Sequence, residues 1–315
     1  MRVHHLNCVT MCPPGGRLMD GRYRPKGVPA ALVCHTLLLE TDQGLVLVDT
    51  GFGLEDVRNP RPRLSPLFLD YLCRPQLNEE ATAIRQIERM GFKAGDVRHI
   101  VLTHLDFDHA GGLDDFPAAR VHVMAAEAEA AVAQATWLDR RRFRPRQWST
   151  QPHWVTYPMP RGGERWFGFE CVRDLEGLPP EILLVPLVGH MLGHAGVAVR
   201  QPDGWLLHAG DAYFYHEEMN PEHPRCTPGL IAYQDLMQKD GRLRKLNQER
   251  LRELVRRHDR DVRVFCAHDA VEFERLEEDE RAHEPHALRG LGSVETAEEP
   301  RRESPLPPVP PIPTV

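Results

Sequence analysis

The run Thr103-His104-Leu105-Asp106-Phe107-Asp108-His109-Ala110-Gly111-Gly112 places four side chains that can ligate a metal within six positions: His104, Asp106, Asp108 and His109. Imidazole beside carboxylate suits zinc, iron or manganese, and carboxylates this close repel one another unless cations neutralise them. Gly111 and Gly112 let the backbone turn tightly beside such a cation. Taken by itself, the run is also what an ordinary polar loop can contain. Three more candidates follow, each after an apolar run: His190 in Val188-Gly189-His190, Asp211 in His208-Ala209-Gly210-Asp211, and His268 in Phe265-Cys266-Ala267-His268. Singly, each is more often a structural polar residue. In this order they make a site of four imidazoles and three carboxylates.

Those residues need strands to end beside them. Leu32–Glu40 and Leu45–Asp49, separated by Asp42-Gln43-Gly44, read as a hairpin. Glu79–Met90 sets Ala83, Ile84, Ile87 and Met90 on one helical stripe that Gly91 stops. The next strand, His99–Thr103, ends at the histidine cluster, and Val121–Met124 followed by Ala125–Thr136 repeats strand then helix. Ile182–Val188, Gly196–Arg200 and Trp205–His208 are strands of a second sheet. Asp240–His258 carries Leu243, Leu246, Leu251, Leu254 and Val255 on one helical face, and Val262–Cys266 is a last strand. Two sheets between outer helices, an αββα sandwich of the α+β class, would cover every apolar face.

At 315 residues and 41% hydrophobic content, the expectation is one catalytic domain over residues 1–281. Residues 282–315 turn to charged residues and prolines and read as a disordered tail, with a polyproline ligand as the rarer alternative. The apolar runs are far short of the roughly 20 residues that span a bilayer, and the N-terminus lacks the features of a secretion signal. The expectation is a cytoplasmic protein with no membrane partner. Seven cysteines without CxxC spacing argue against a disulfide framework. A net charge of −7 counts against a nucleic-acid partner. The basic run Arg140–Arg146 reads as a solvated loop rather than an anion-binding lid.

With these residues in place, the sequence resembles the metallo-β-lactamase superfamily over roughly residues 1–275. The family pattern is HxHxDH, a lone His, a lone Asp and a final His. Leu47-Val48-Asp49-Thr50-Gly51 is similar to its early aspartate turn, and Gly189–His194 to its GHxxGH. Within the superfamily the likeness is to acyl-homoserine-lactone lactonases, which have a similar HLxFDHAGG run. The resemblance implies a hydrolase that opens a lactone or ester with water activated by two divalent cations, zinc foremost and iron or manganese as alternatives. His104, Asp106 and His190 would hold the first cation and Asp108, His109 and His268 the second, with Asp211 bridging. It also implies that His194 supports the site, and that Asp49 is a hydrogen-bond acceptor behind it. Asp106 departs from the pattern, which has His there. The added carboxylate lowers the net charge of the centre and leaves a weakened first site open.

In the lactonases a tyrosine three residues after the bridging aspartate assists the carbonyl, whereas this chain has Phe214 between Tyr213 and Tyr215. Tyr213 and Tyr215, with Asp108, are therefore the catalytic candidates. Residues Phe52–Gln76 could form an apolar lid over the substrate, or simply pack in the core. The partner expected is a small ester or lactone, and the base rate for soluble enzymes points to a homodimer. Rival readings are a di-iron redox protein, a phosphoester hydrolase of the same fold, and a non-catalytic metal- or ligand-binding module.

Overall fold

Alternation along the strands decides the layers. In β2 (His35–Thr41) and β3 (Gly44–Val48), Leu37, Leu39, Val46 and Val48 fall on one side and Leu38, Leu45 and Leu47 on the other. Successive side chains of a strand point to opposite faces, so each strand feeds two apolar layers. A computed structural model describes residues 1–283 apart from 24, 26, 152, 160–164 and 173. The tail expected from residue 282 lies, from 284 on, outside the described residues.

β1 (Arg2–Asn7), β2, β3, β4 (Val97–Val101), β5 (Arg120–Met124) and β6 (Trp154–Tyr157) form one sheet in that order. β1 to β3 are antiparallel, and β3 to β6 run parallel. After a small hairpin, β7 (Arg165–Trp166) with β8 (Phe169–Glu170), the second sheet follows. It comprises β9 (Ile182–Pro186), β10 (Ala195–Gln201), β11 (Gly204–His208) and β12 (Val262–Phe265), in the order β12-β11-β10-β9. β9 and β11 each run antiparallel to β10, and β12 parallel to β11, so β9, β11 and β12 leave the sheet at one end.

Leu37, Leu39, Val46, Val48 and Val101 meet Ile182, Leu184, Val197, Val199 and Leu206 between the sheets. On the outer face of the first sheet, Leu38, Leu47, Ile100 and Val121 pack with Ile84 and Ile87 of the helix Ala83–Arg89. On that of the second, Leu183, Val185, Ala198 and Leu207 pack with Leu251 and Leu254 of the helix Gly241–His258. The αββα sandwich stands as expected.

Three differences matter. Leu246, placed on the buried stripe of its helix, is 48% exposed, while Arg244, Asn247 and Gln248 are buried. The reason is a polar network: Gln248 Nε2 donates to the Ala212 carbonyl beside Asp211 at 2.9 Å and to Gln234 Oε1 at 2.9 Å. The helices Pro228–Met237 and Ala270–His283 were not read from the sequence. Residues 52–76 are not a separate flap. Phe52, Leu64, Phe68 and Cys73 are buried in one apolar cluster with Met11, Leu32, Phe107, Phe214, Leu230 and Met237. No helix of the described residues is long and apolar enough to cross a membrane.

Candidate metal centre

The strand ends converge as the spacing requires. His104, Asp106, Asp108 and His109 follow β4, His190 follows β9, Asp211 follows β11 and His268 follows β12. Both sheets thus contribute, and all seven side chains are at most 5% exposed. Two backbone positions allow the approach. Gly189 has φ +146°, and a Cβ there would stand 2.3 Å from the Arg244 nitrogen. Gly210 has φ +54°, and its Cβ would stand 2.6 Å from His194 Nε2.

Asp211 divides the centre. Its Oδ2 lies 3.3 Å from His190 Nε2 and 3.8 Å from His104 Nε2, and its Oδ1 lies 3.1 Å from His268 Nε2 and 3.3 Å from His109 Nε2. Asp106 Oδ2 closes the first half, 3.3 Å from His104 Nε2 and 3.2 Å from His190 Nε2. Asp108 adds to the second half, 3.7 Å from His268 Nε2. Cys34 joins it: its sulfur, an Asp108 oxygen and a His268 nitrogen lie within 4.8 Å of one another. Nothing in the sequence marked Cys34, whose thiol burial pushes up, helped by the Asp108 charge.

The outer nitrogens of three of the four imidazoles have fixed partners, while that of His190 is buried without one. His109 Nδ1 donates to Asp49 at 2.8 Å, and His268 Nδ1 to the Val33 carbonyl at 2.7 Å. Asp49 also accepts from the Thr103 amide and hydroxyl, each at 2.8 Å, so the hydroxyl oxygen is free to accept from His104 Nδ1 at 3.0 Å. Asp49 holds φ +59° to do this, a strained value for a non-glycine residue. With protons committed outward, the Nε2 atoms of His104, His109 and His268 present lone pairs to Asp211. Lone pairs facing lone pairs explain why His104 Nε2 and Asp211 Oδ1 are buried without a hydrogen-bond partner. Each such orphan costs roughly 1–3 kcal/mol, and a cation between them removes the penalty. The donor set fits divalent ions.

His194 is not among the converging ligands. Its Nδ1 meets the Leu187 carbonyl at 2.9 Å and its Nε2 accepts from the Asp211 amide at 2.9 Å, which sets the turn that carries Asp211. Sequence reasoning missed Glu127. Fully buried, it accepts from Leu105 N at 3.0 Å and Gly193 N at 3.2 Å, tying the two ligand loops together.

Two expectations are corrected. Arg142, placed in a solvated basic loop, is fully buried. Its Nε donates to Asp106 at 2.9 Å, its Nη2 to Asp106 Oδ2 at 2.5 Å, and its Nη1 to the Met237 carbonyl. Burial alone would raise the Asp106 carboxyl, but the Arg142 charge beside it holds it well below the usual range. Tyr213, expected at the substrate, packs in the layer outside the second sheet, and its hydroxyl donates to Glu272 at 2.9 Å. Phe214 takes the inward position instead and stacks on His268 with ring centres 5.2 Å apart.

Tyr215 is half-buried, its ring packed on His216, and it lines a cleft of about 10 Å³ that reaches His268 and is bounded by Asp20, Arg22, Leu32 and Phe214. A further tyrosine, Tyr233, comes from the helix Pro228–Met237. Its ring meets Phe214 edge-on at 5.6 Å and its hydroxyl lies 3.8 Å from Cys73 Sγ. Burial, Cys73 and the charges of Asp108, Asp211 and Asp106 push its phenol well above the ordinary value, so it stays protonated.

The pattern of the metallo-beta-lactamase superfamily matches residues 30–268. A probable metallo-hydrolase of Mycobacterium tuberculosis is 43% identical over 274 residues, 85% of this chain and 80% of the relative. An N-acyl homoserine lactonase of Bacillus thuringiensis is 28% identical over 188 residues, 59% of this chain and 66% of the relative. A solved N-acyl homoserine lactone hydrolase, with the product N-hexanoyl-L-homoserine at its catalytic metal centre, superposes with a TM-score of 0.63 at 22% identity. That match covers 91% of this chain and 97% of the other, and at such identity it speaks for the fold.

Proposed function

The chain belongs to the metallo-β-lactamase superfamily and is a metal-dependent hydrolase, and from that premise we propose that it opens a lactone or ester at a two-cation centre, acyl-homoserine lactones being the first substrate class to test. The observation that carries the reading is Asp211, whose two oxygens face two different pairs of imidazoles. His104, Asp106 and His190 would hold one cation and Asp108, His109 and His268 the other, with Asp211 shared. Zinc is the first metal to try, then iron and manganese. When bound, such cations lower the pKa of a shared water toward neutrality and polarise a carbonyl.

The rest falls to the protein. Asp49, Thr103 and Val33 keep the imidazoles aimed inward, and Glu127 keeps the ligand loops in register. Phe214 fills the place where a lactonase tyrosine would stand. Tyr233 takes over its task, donating its hydroxyl proton as a hydrogen bond to the substrate carbonyl oxygen. Leu32, Phe214 and Leu230 line the cleft that reaches His268 and would meet an apolar acyl part of the substrate. The lactonase relatives support the substrate class.

The test is hydrolysis of acyl-homoserine lactones, simple lactones and aryl esters by protein reconstituted separately with zinc, manganese and iron, with Asp211→Ala as the blank. Metal-dependent turnover of a lactone, lost in the variant, is expected. No turnover of any lactone or ester by fully metallated protein would overturn the substrate class.

A further inference from the structure

The two halves of the centre differ in one respect that the donor count hides. On the first half, a cation is already built into the chain. Arg142 Nη2 lies 2.5 Å from Asp106 Oδ2 and 2.6 Å from His190 Nε2, so the guanidinium contacts two of the four donor atoms that converge there. Among the described residues, no lysine or arginine makes an ion pair with Asp108 or Asp211, the carboxylates of the second half. That half instead gathers His109, His268, Asp211, Asp108 and the Cys34 thiol, with imidazoles rather than a guanidinium against its carboxylates.

We infer that Arg142 makes the metal sites unequal: the half formed by Asp108, His109, Asp211 and His268 fills first and tightly, and the half formed by His104, Asp106 and His190 fills only at higher metal concentration. Two physical effects act together. A divalent ion entering the first half meets a fixed positive charge a few ångströms away in a region sealed from water, where Coulomb repulsion is weakly screened. It must also draw the His190 lone pair and the Asp106 oxygen away from N–H donors that already satisfy them, whereas on the second half Asp211 Oδ1 has no hydrogen-bond partner to lose. The pairing explains how Asp106 is tolerated where the family pattern has a neutral histidine. Asp106 with Arg142 is neutral as a unit, and one guanidinium cannot be buried without such a partner.

The inference rests on the metal-dependent reading above, yet its test needs no substrate. Metal-stripped full-length protein is titrated with zinc against a chromophoric chelator, and binding is counted by calorimetry. Two steps separated by about a hundredfold are expected, a separation that under 3 kcal/mol of repulsion and competition would produce. His190→Ala should remove the weak step and His268→Ala the tight one. Arg142→Met, which keeps bulk and removes charge, should strengthen the weak step by at least about tenfold. Two steps within about threefold of each other in the unaltered protein would overturn the inference, as would an Arg142→Met protein whose weak step is unchanged or weaker. If Arg142→Met does not fold by circular dichroism, the separation in the unaltered chain and its assignment through His190→Ala decide the matter. Failure of the lactone assay with these two steps intact would reject only the substrate.

Discussion

Tyr213 and Tyr233 flank Phe214 in different packing clusters, and their hydroxyls face different chemistry. Tyr213 bonds Glu272, a carboxyl that burial pushes up to about 7 and that also accepts from the Cys266 amide at 2.8 Å. Removing the Tyr213 hydroxyl strands a buried acceptor. Tyr233→Phe should therefore lower kcat/KM for the best lactone or ester by about ten- to a hundredfold with metal content unchanged, the worth of one hydrogen bond to a charged oxygen. Tyr213→Phe should leave kcat/KM within about threefold and reduce stability by roughly 1–3 kcal/mol in thermal melts. The reverse pattern would return the donor role to Tyr213. The seven ligand candidates were legible because metal ligation demands particular side chains at short spacing or just past a strand. Tyr233, Glu127, Cys34 and Arg142 reach the centre only through packing, from segments whose own sequence has no reason to announce it. Arg142 had one indirect signal, the surplus carboxylate at Asp106, which in a sealed site calls for a compensating cation.

Among the elements, the helix Ala270–His283 ties the strand that opens the chain to the loop that carries His268. Asp269 starts it, accepting from the Val271 and Glu272 amides at 2.8 and 3.0 Å. Near its end Glu280 accepts from the His5 amide at 3.0 Å and meets His4 Nδ1 at 2.6 Å, while Glu40 meets His4 Nε2 at 2.7 Å. Burial opposes charge on His4, but the bonds to Glu280 and Glu40 outweigh it and raise its pKa above 6.5. Its contribution is complete below about 6.5 and is lost as pH rises through the raised value. Glu280 is displaced the other way: burial is outweighed by His4, its pKa falls below 4.5, and its share is lost only as pH falls through that lowered value. Amide exchange in the helix, corrected for intrinsic rate, should accelerate between pH 6 and pH 8.5 relative to β2 and β3, and His4→Gln should erase the difference. Equal acceleration in the helix and in β2 would reject the seam. The strands were readable from their alternation. This helix was not, because its apolar stripe is short, Phe273 and Leu276 amid glutamates and arginines, and that charged composition continues into the tail.

At the scale of the molecule, the centre joins two sheets that also meet through an apolar layer and a few hydrogen bonds, such as the His35 amide to the Ala267 carbonyl at 2.9 Å. His104 to His109 come from the first sheet, and His190, Asp211 and His268 from the second. The layered pattern of strands and helices was visible in the sequence, since each strand repeats the same two-sided alternation. How the ligand loops of the two sheets converge at one edge was not, because that is set by packing between segments far apart in sequence. Without cations, Asp106, Asp108 and Asp211 are buried together with one guanidinium for company. Ions bound at about a hundred times their dissociation constant would stabilise the folded chain by about 2.7 kcal/mol each. Chelation should accordingly lower Tm by about 5–10 °C, reversibly on adding metal back. The loosening should be local. Exchange should quicken in the loops at Thr103–Gly112 and Gly189–His194, which carry ligands from opposite sheets, and remain unchanged in the helix Gly241–His258 around Leu251 and Leu254, which is held from outside by apolar packing. A chelated protein that melts at the same temperature, with those loops equally protected, would mean that Arg142 and the outward hydrogen bonds of the imidazoles hold the edge closed unaided, and that bound metal serves the chemistry without supporting the fold.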